Sequence, residues 1–378
     1  MSDYRKFNDD ILSAAEDREL AARKYPTILH VLDHPELREL FDRYDEPAKR
    51  AKRNGLTFGL LAIGLAFTAL VIAAFEHLFN RSEAPAALFL DRLREWPTIL
   101  ALVAAVCGVA GILIGGIGVL YAERKRRWLH QRLMTERLRQ FHFQTFVCRV
   151  PEILKSLKNE QAQRAYLQSR SLWLDEVTAK FSGKLDAKFA TMLDEQGEAD
   201  FWLHDAKHEP AGVHDNKELD PLFAAYRELR IARQIGYANY RLKNDNKIFS
   251  ADPRGQAAAL WNIGFISILA LAAIHMIVLS VVLIAPLEWS NFSSATSTAA
   301  ILIALIALAA RAIEQGLHPE REVERYQQYR AALRAVQERF DAAPSQAEKL
   351  AVMREMERIS FDEMRNFLIT NDRSRFVM

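Results

Sequence analysis

Four long blocks of the chain contain no Asp, Glu, Lys or Arg. They cover residues 55–75, 96–122, 255–287 and 289–310, although 26% of the whole chain is charged. A membrane-spanning helix needs about 20 apolar residues, because each residue advances it by about 1.5 Å through a hydrocarbon layer about 30 Å thick. Each block is long enough, so the sequence predicts four spans rather than a set of water-soluble domains.

Basic residues next to these blocks predict their orientation. Lys and Arg resist translocation, so short loops rich in them stay in the cytoplasm. The flanks outside the first pair of blocks contain Lys49, Arg50, Lys52, Arg53, Arg124, Lys125, Arg126 and Arg127. The loop within that pair balances acids and bases, and the loop around Glu288 has no base. Both chain ends are therefore predicted to be cytoplasmic.

The order of the blocks predicts an all-α integral membrane protein with four transmembrane helices in two hairpins and long cytoplasmic helices. The predicted segments are a cytoplasmic helical part (1–54), a first hairpin (55–122), a cytoplasmic helical domain (123–254), a second hairpin (255–310) and a C-terminal cytoplasmic helical hairpin (311–378). Trp128 and Arg132 follow the first hairpin as Tyr326 and Arg330 follow the second. This indicates either a parallel internal repeat or two unrelated hairpins.

Two features inside the blocks are candidates for function. Gly111 and Gly115, four residues apart, predict a helix-packing face, used either within the chain or between subunits. His275 is the one ionisable side chain deep inside a block. A polar group in hydrocarbon is costly, so we expect His275 either to bond between helices or to serve as a pore or gate residue.

A basic segment after the second block is the candidate ligand site. Arg124, Arg127, Trp128 and Arg132 combine positive charge with an aromatic ring. Such a surface suits the phosphates and bases of a nucleotide or oligonucleotide. It equally suits anionic lipid headgroups at a membrane exit.

Other chemistry has little support in the sequence. His204 and His208 lie four residues apart in a Gly- and Pro-containing connector between 194 and 220, which fits either a zinc-like pair or a solvated polar loop. The two cysteines, Cys107 and Cys148, are too few for a disulfide framework. Phosphate-binding, nucleotide-binding and nucleophile motifs are absent from the sequence. No enzyme activity, cofactor or metal is predicted.

The second half of the chain resembles the SLATT family, the two-span effector domains associated with bacterial nucleotidyltransferases and nucleotide-sensing domains. The resemblance rests on residues 237–246, which are rich in Tyr and basic residues before a hairpin, on 322–340, and on the ending Asn371-Asp372-Arg373-Ser374-Arg375-Phe376. The first half, from Tyr44 to Arg139, is similar to the same arrangement. Phe376 stands where the family often has tryptophan, and the insertion at 123–254 is not part of the two-span form.

The resemblance implies an oligomeric effector of the bacterial inner membrane in anti-phage defence, as in Hailong-type nucleotidyltransferase systems. Such an effector responds to a nucleotide signal, then forms a pore or disrupts the membrane and arrests growth. Expected partners are membrane lipids, further copies of the chain, and a nucleotide or oligonucleotide from a nucleotidyltransferase. The alternatives are a transporter, which should have an unwound span with polar groups at mid-membrane, and a scaffold that anchors a cytoplasmic complex.

Overall fold

The computed structural model describes residues 10–79, 96–120, 122–194, 201–204, 215–243, 252–284 and 289–373. Side chains are described throughout these ranges except at 76–79, 96–97, 117–120, 122–124, 289–294 and 373. The described residues are almost entirely helical and contain no strand. The predicted all-α fold class is confirmed.

The helices follow one another with short connections. In chain order they are α1 (Ala15–Lys24), a 3₁₀ turn (Pro26–Ile28), α2 (Leu29–Leu32), α3 (Pro35–Phe79), α4 (Trp96–Leu120), α5 (Ala122–Cys148), α6 (Val150–Ser156), α7 (Glu160–Phe181), α8 (Leu185–Leu193), a 3₁₀ turn (Lys217–Leu219), α9 (Asp220–Tyr226), a π-helical turn (Arg227–Ala232), α10 (Arg233–Arg241), α11 (Pro253–Ile284), α12 (Trp289–Leu317), α13 (Pro319–Ala342) and α14 (Gln346–Arg373).

The chain divides into two compact units. The described residues within 1–51, 126–243 and 323–373 form the first, which we call the polar unit. The described residues within 52–125 and 244–322 form the second, the apolar unit. Three segments that are far apart in the sequence therefore build one polar unit.

The apolar unit carries large hydrophobic side chains on its surface. Ile112, Leu283 and Ile284 are 75%, 73% and 83% exposed. Contiguous apolar surface of this kind is unfavourable in water and favourable in lipid. The candidate spans are Pro35–Phe75, Thr98–Gly116, Pro253–Ile284 and Ala295–Ala342. The chain is a multi-pass membrane protein, as the sequence predicts, whereas its orientation stays a prediction.

Small residues permit close helix packing inside the apolar unit. α11 packs against α12, and the buried residues of α11 include Leu260 and Ser267. On α4, a Cβ added at Gly111 would lie 3.3 Å from the backbone nitrogen of Ala66 on α3. The absence of a side chain at Gly111 therefore allows the α3 and α4 backbones to approach each other.

Two hydrophobic clusters form the core of the polar unit. The larger contains Leu12, Phe143, Tyr226, Leu333 and Met353 among others. The smaller includes Ile11, Leu37, Leu138, Phe141 and Leu174. α5 contributes to both clusters, so this helix joins the two halves of the core.

The start of α14 follows the sequence closely. α13 ends at Ala342, two residues before Pro344, and α14 begins at Gln346. The Ser345 hydroxyl oxygen accepts a hydrogen bond from the Glu348 backbone nitrogen at 3.3 Å. This is the serine half of the capping box expected from a serine followed three residues later by glutamate, and the Ser345 hydroxyl also donates to Glu348 Oε1 at 3.3 Å.

Candidate functional site: a buried polar network around α5

α5 is a polar helix enclosed by the polar unit. Every residue from 133 to 148 is buried except Glu136, which is half-buried. The enclosed polar side chains are Thr135, Arg137, Arg139, Gln140, His142, Gln144 and Thr145. Burying polar groups costs free energy unless they are hydrogen-bonded, so α5 must find partners on neighbouring elements.

An ionic network supplies many of these partners. Arg139 Nε donates to Asp10 Oδ1 at 3.0 Å, and its Nη1 donates to Glu136 Oε2 at 2.7 Å. Arg230 in the π-helical turn donates to both oxygens of Glu357 on α14, each at 3.0 Å. Arg230 Nη1 also lies 3.6 Å from Asp10 Oδ2. Asp10 therefore bridges two guanidinium groups from different elements.

The two glutamates of this network differ in acidity. Burial alone would raise the pKa of Glu136, but Arg132 and Arg139 outweigh it and hold that pKa at about 2. For Glu357 burial dominates, and its pKa is raised despite Arg230 and a hydrogen bond of 2.8 Å from the Tyr226 hydroxyl. Of these two glutamates, Glu357 therefore takes up a proton more readily.

Three histidines of the polar unit are buried in the neutral form. Burial, with Arg170 nearby, lowers the pKa of His34 to about 2 and that of His142 to about 3. Burial lowers the pKa of His204 to about 4. Their rings pack against aromatic neighbours, and Phe141 stacks on His204 with centroids 4.7 Å apart. These imidazoles behave as polar core residues at neutral pH.

This arrangement suits a conformational role, because it fixes how the elements of the polar unit pack. Among the described residues, no three His, Cys, Asp or Glu side chains form a group that could hold a metal ion. Satisfied buried ion pairs fix one packing arrangement, and loss of one partner leaves a buried charge. The network can therefore hold the polar unit in a defined state.

The structure describes the side chains of three of the four predicted ligand-binding residues, and these differ in exposure. The side chain of Arg124 lies outside the described part, and Arg127 is exposed. Trp128 is 3% exposed and meets Phe367 edge to face, so its ring is covered by protein and the predicted stacking surface is corrected. Arg132 forms ion pairs with Glu136 and, at 3.8 Å, with Asp45. Trp128 is buried because it extends the apolar face of α5.

His275 lies on an exposed face of α11. Its Nδ1 donates to the Leu271 carbonyl oxygen of the same helix at 2.8 Å, which assigns Nε2 as the acceptor in the neutral ring. The described contacts therefore do not include the bond between helices that was one alternative for His275. Its role as a pore or gate residue stays a prediction.

The two glycines of the predicted packing face differ. Gly111 lies against α3 in the same chain, whereas a Cβ at Gly115 would meet nothing within 4 Å. Of these two glycines, only Gly111 lies where a side chain would meet the neighbouring helix. A contact between subunits at Gly115 stays a prediction.

The connector containing His204 is less solvated than predicted. Residues 195–200 and 205–214, with His208, lie outside the described residues. Residues 201–204 are buried or half-buried, and His204 Nε2 lies 3.0 Å from the Thr145 hydroxyl oxygen on α5. The solvated-loop interpretation is therefore wrong for His204, because Phe201, Trp202 and Leu203 anchor this segment in the core.

Sequence reasoning missed the ionic network. Asp10, Arg230 and Glu357 are separated by more than a hundred residues from one another, so no local pattern joins them. One signal was present: Glu357 interrupts an apolar stripe between Met356 and Phe361 on α14. A charge on the buried face of a helix indicates a partner in the core.

Comparisons with known proteins identify no relative. No family model, curated protein or solved structure matches the chain. The resemblance to the SLATT family therefore remains an expectation from the sequence, and the function derived from it is a proposal.

Proposed function

We propose that this chain is the subunit of an oligomeric inner-membrane effector in nucleotide-signalled anti-phage defence. The observation that carries the proposal is the pairing of a four-span apolar unit with a separate, internally networked polar unit. The first suits membrane perturbation and the second suits signal reception. In this proposal the effector forms a regulated pore or disrupts the membrane, and both chain ends are cytoplasmic.

The exposed apolar surface supports oligomer formation. Lipid can cover aliphatic side chains, but it offers no hydrogen-bond partner to the His275 ring at mid-span. A neighbouring copy or a water-filled path would meet that need. His275 is accordingly the residue we assign to the gate.

Membrane polarisation tests this function directly. We expect graded expression in bacteria to depolarise the membrane and stop growth, whereas a scaffold would leave the potential intact. His275→Leu should change the depolarisation rate by roughly tenfold or more, because a gate residue contacts the permeating path. Ser280→Ala is the matched control, since Ser280 also bonds a carbonyl one turn earlier on α11, at 2.8 Å. Intact polarisation at full expression would refute the effector role.

The nucleotide signal is proposed to bind the basic segment at Arg124 and Arg127. Arg127 is exposed, so its charge is accessible to a phosphate. Arg127→Glu should weaken retention of a labelled oligonucleotide, and Arg164→Glu, an exposed arginine on α7 paired with Glu160, should not. Equal retention by both variants would contradict this site. Loss of binding to anionic vesicles alone would assign the segment to lipid instead.

A further inference from the structure

Residues 10–13 lie inside the polar unit although they belong to no helix. Asp10, Ile11 and Leu12 are 0%, 2% and 1% exposed. Ile11 belongs to the smaller core cluster and Leu12 to the larger. The segment therefore fills the junction between the two clusters.

Side chains from other elements hold this segment in place. Asp10 accepts hydrogen bonds from Arg139 on α5 at 3.0 Å and from Gln234 on α10 at 3.3 Å. The Leu12 carbonyl oxygen accepts from Arg18 at 3.2 Å and from Arg38 at 3.4 Å. The segment thus ties together parts of the polar unit that are distant in sequence.

The charges around Asp10 allow it to leave without stranding a cation. Arg139 Nη1 also donates to Glu136 Oε2 at 2.7 Å, and Arg230 donates to both carboxylate oxygens of Glu357 at 3.0 Å. Neither pair depends on Asp10. Removing one member of a buried pair is usually costly because the remaining charge is uncompensated. If Asp10 leaves, Arg139 remains paired with Glu136 and Arg230 with Glu357. The Asp10 carboxylate becomes hydrated by water.

The backbone at Leu12 also favours release. Its φ of 58° lies in the left-handed region, which is unfavourable for a residue with a Cβ. Strain of this kind persists only where surrounding contacts impose it. Withdrawal of the segment would relieve it.

We propose that residues 10–13 are a releasable segment, here called the latch, that keeps the polar unit closed around α5. Asp10 is the residue that anchors the latch, through its bonds to Arg139 and Gln234. Release of the latch opens the core and is the step that switches the membrane assembly. The switching part rests on the proposed effector function, whereas the latch itself does not.

Cys148 provides a reporter of latch opening. It lies at the end of α5 in the same cluster as Leu12, and burial raises the pKa of its thiol to about 12. A buried, protonated thiol reacts slowly, so its labelling rate reports opening of this core. The Cys107→Ala background removes the thiol in the span.

The test compares Asp10→Ala with Asp17→Ala. Asp17 pairs with Arg233 at 3.3 Å near the surface, so its loss should leave the latch closed. We expect Asp10→Ala to speed Cys148 labelling by a maleimide roughly tenfold or more at unchanged helicity, and Asp17→Ala to change it little. Leu242→Ala controls for general destabilisation, because Leu242 is buried in a separate cluster with Ala238 and Tyr326 that contains no latch residue. If Asp10→Ala does not accumulate, Asp10→Asn decides, because it keeps an acceptor for Arg139 but loses the charge.

The outcomes separate the two proposals. Equal labelling in the Asp10 and Asp17 variants, or a comparable increase in Leu242→Ala, would overturn the latch. Faster labelling confined to the Asp10 variant, together with earlier membrane depolarisation on expression, would support both proposals. Faster labelling with normal polarisation would keep the latch and reject the effector function.

Discussion

Acidification should destabilise the polar unit through His34, His142 and His204. Their folded pKa values of about 2, 3 and 4 lie below the ordinary value of 6.5 because burial penalises the charged ring. Below pH 6.5 the unfolded chain therefore binds protons that the folded chain does not. Stability must fall as the pH drops from 7 through 6.5 towards the folded values.

The size of the effect follows from the protons involved. Between pH 7 and pH 5 an ordinary imidazole becomes almost fully protonated, which favours the unfolded state by about 2 kcal/mol per histidine. Three histidines give about 6 kcal/mol, or a fall in Tm of roughly 12–24 °C for a unit of this size. Glu357, whose pKa is raised by burial, acts in the opposite direction. The histidine contribution is therefore best isolated by comparison with a variant.

Thermal unfolding of the detergent-solubilised protein at pH 7 and pH 5, followed by tryptophan fluorescence, measures this effect. A variant with Gln at positions 34, 142 and 204 should lose most of the difference in Tm between pH 7 and pH 5. Each single replacement should remove about a third of that difference. Ser280→Ala, a change without a titratable group in a span of the apolar unit, should retain the full pH dependence of Tm. An equal fall in Tm in the wild type and the triple variant would refute the assignment of the effect to these buried imidazoles.

Three further changes test the packing. Leu333→Ala, at a position with 0% exposure, should cost about 2–5 kcal/mol of unfolding free energy in denaturant titrations, whereas Leu172→Ala, at 62% exposure, should cost little. Gly111→Leu should destabilise the α3–α4 packing by about 1–3 kcal/mol and increase the rate of proteolysis, whereas Gly115→Leu should do neither. Equal effects of the two changes would contradict the close approach of the backbones at Gly111. His318 has a φ of 42°, in the left-handed region that glycine adopts without strain. His318→Gly should therefore raise the free energy of unfolding by up to about 1 kcal/mol, measured as a higher Tm. A lower Tm would show that the backbone at this position is not strained.

The membrane part of the fold could be predicted because its signal is local. An uncharged stretch of sufficient length forms a helix in lipid regardless of what packs beside it. The cap at Ser345 was predictable for the same reason, since its partner is three residues away. The sequence could not fix the start of the first of these helices, because α3 begins at Pro35, in a charged segment well before residue 55.

The core of the polar unit was less predictable because its contacts are distant in sequence. Basic residues next to Trp128 suggested an exposed binding surface, yet the same helix is enclosed from residue 133 onward. Composition alone does not tell a solvated charge from a paired one in the interior. That distinction depends on residues such as Asp10 and Glu357, which only the fold brings together.

The π-helical turn at Arg227–Ala232 is a place where the length of this chain can vary by one residue. A π turn accommodates one residue more than an ordinary helical turn. Deletion of a single residue there would therefore restore regular α-helical winding, and the residues that follow would keep nearly the same facing. Gln234 would still face Asp10. We therefore expect a homologue that shares this core but lacks the π turn to align with a one-residue gap at this position.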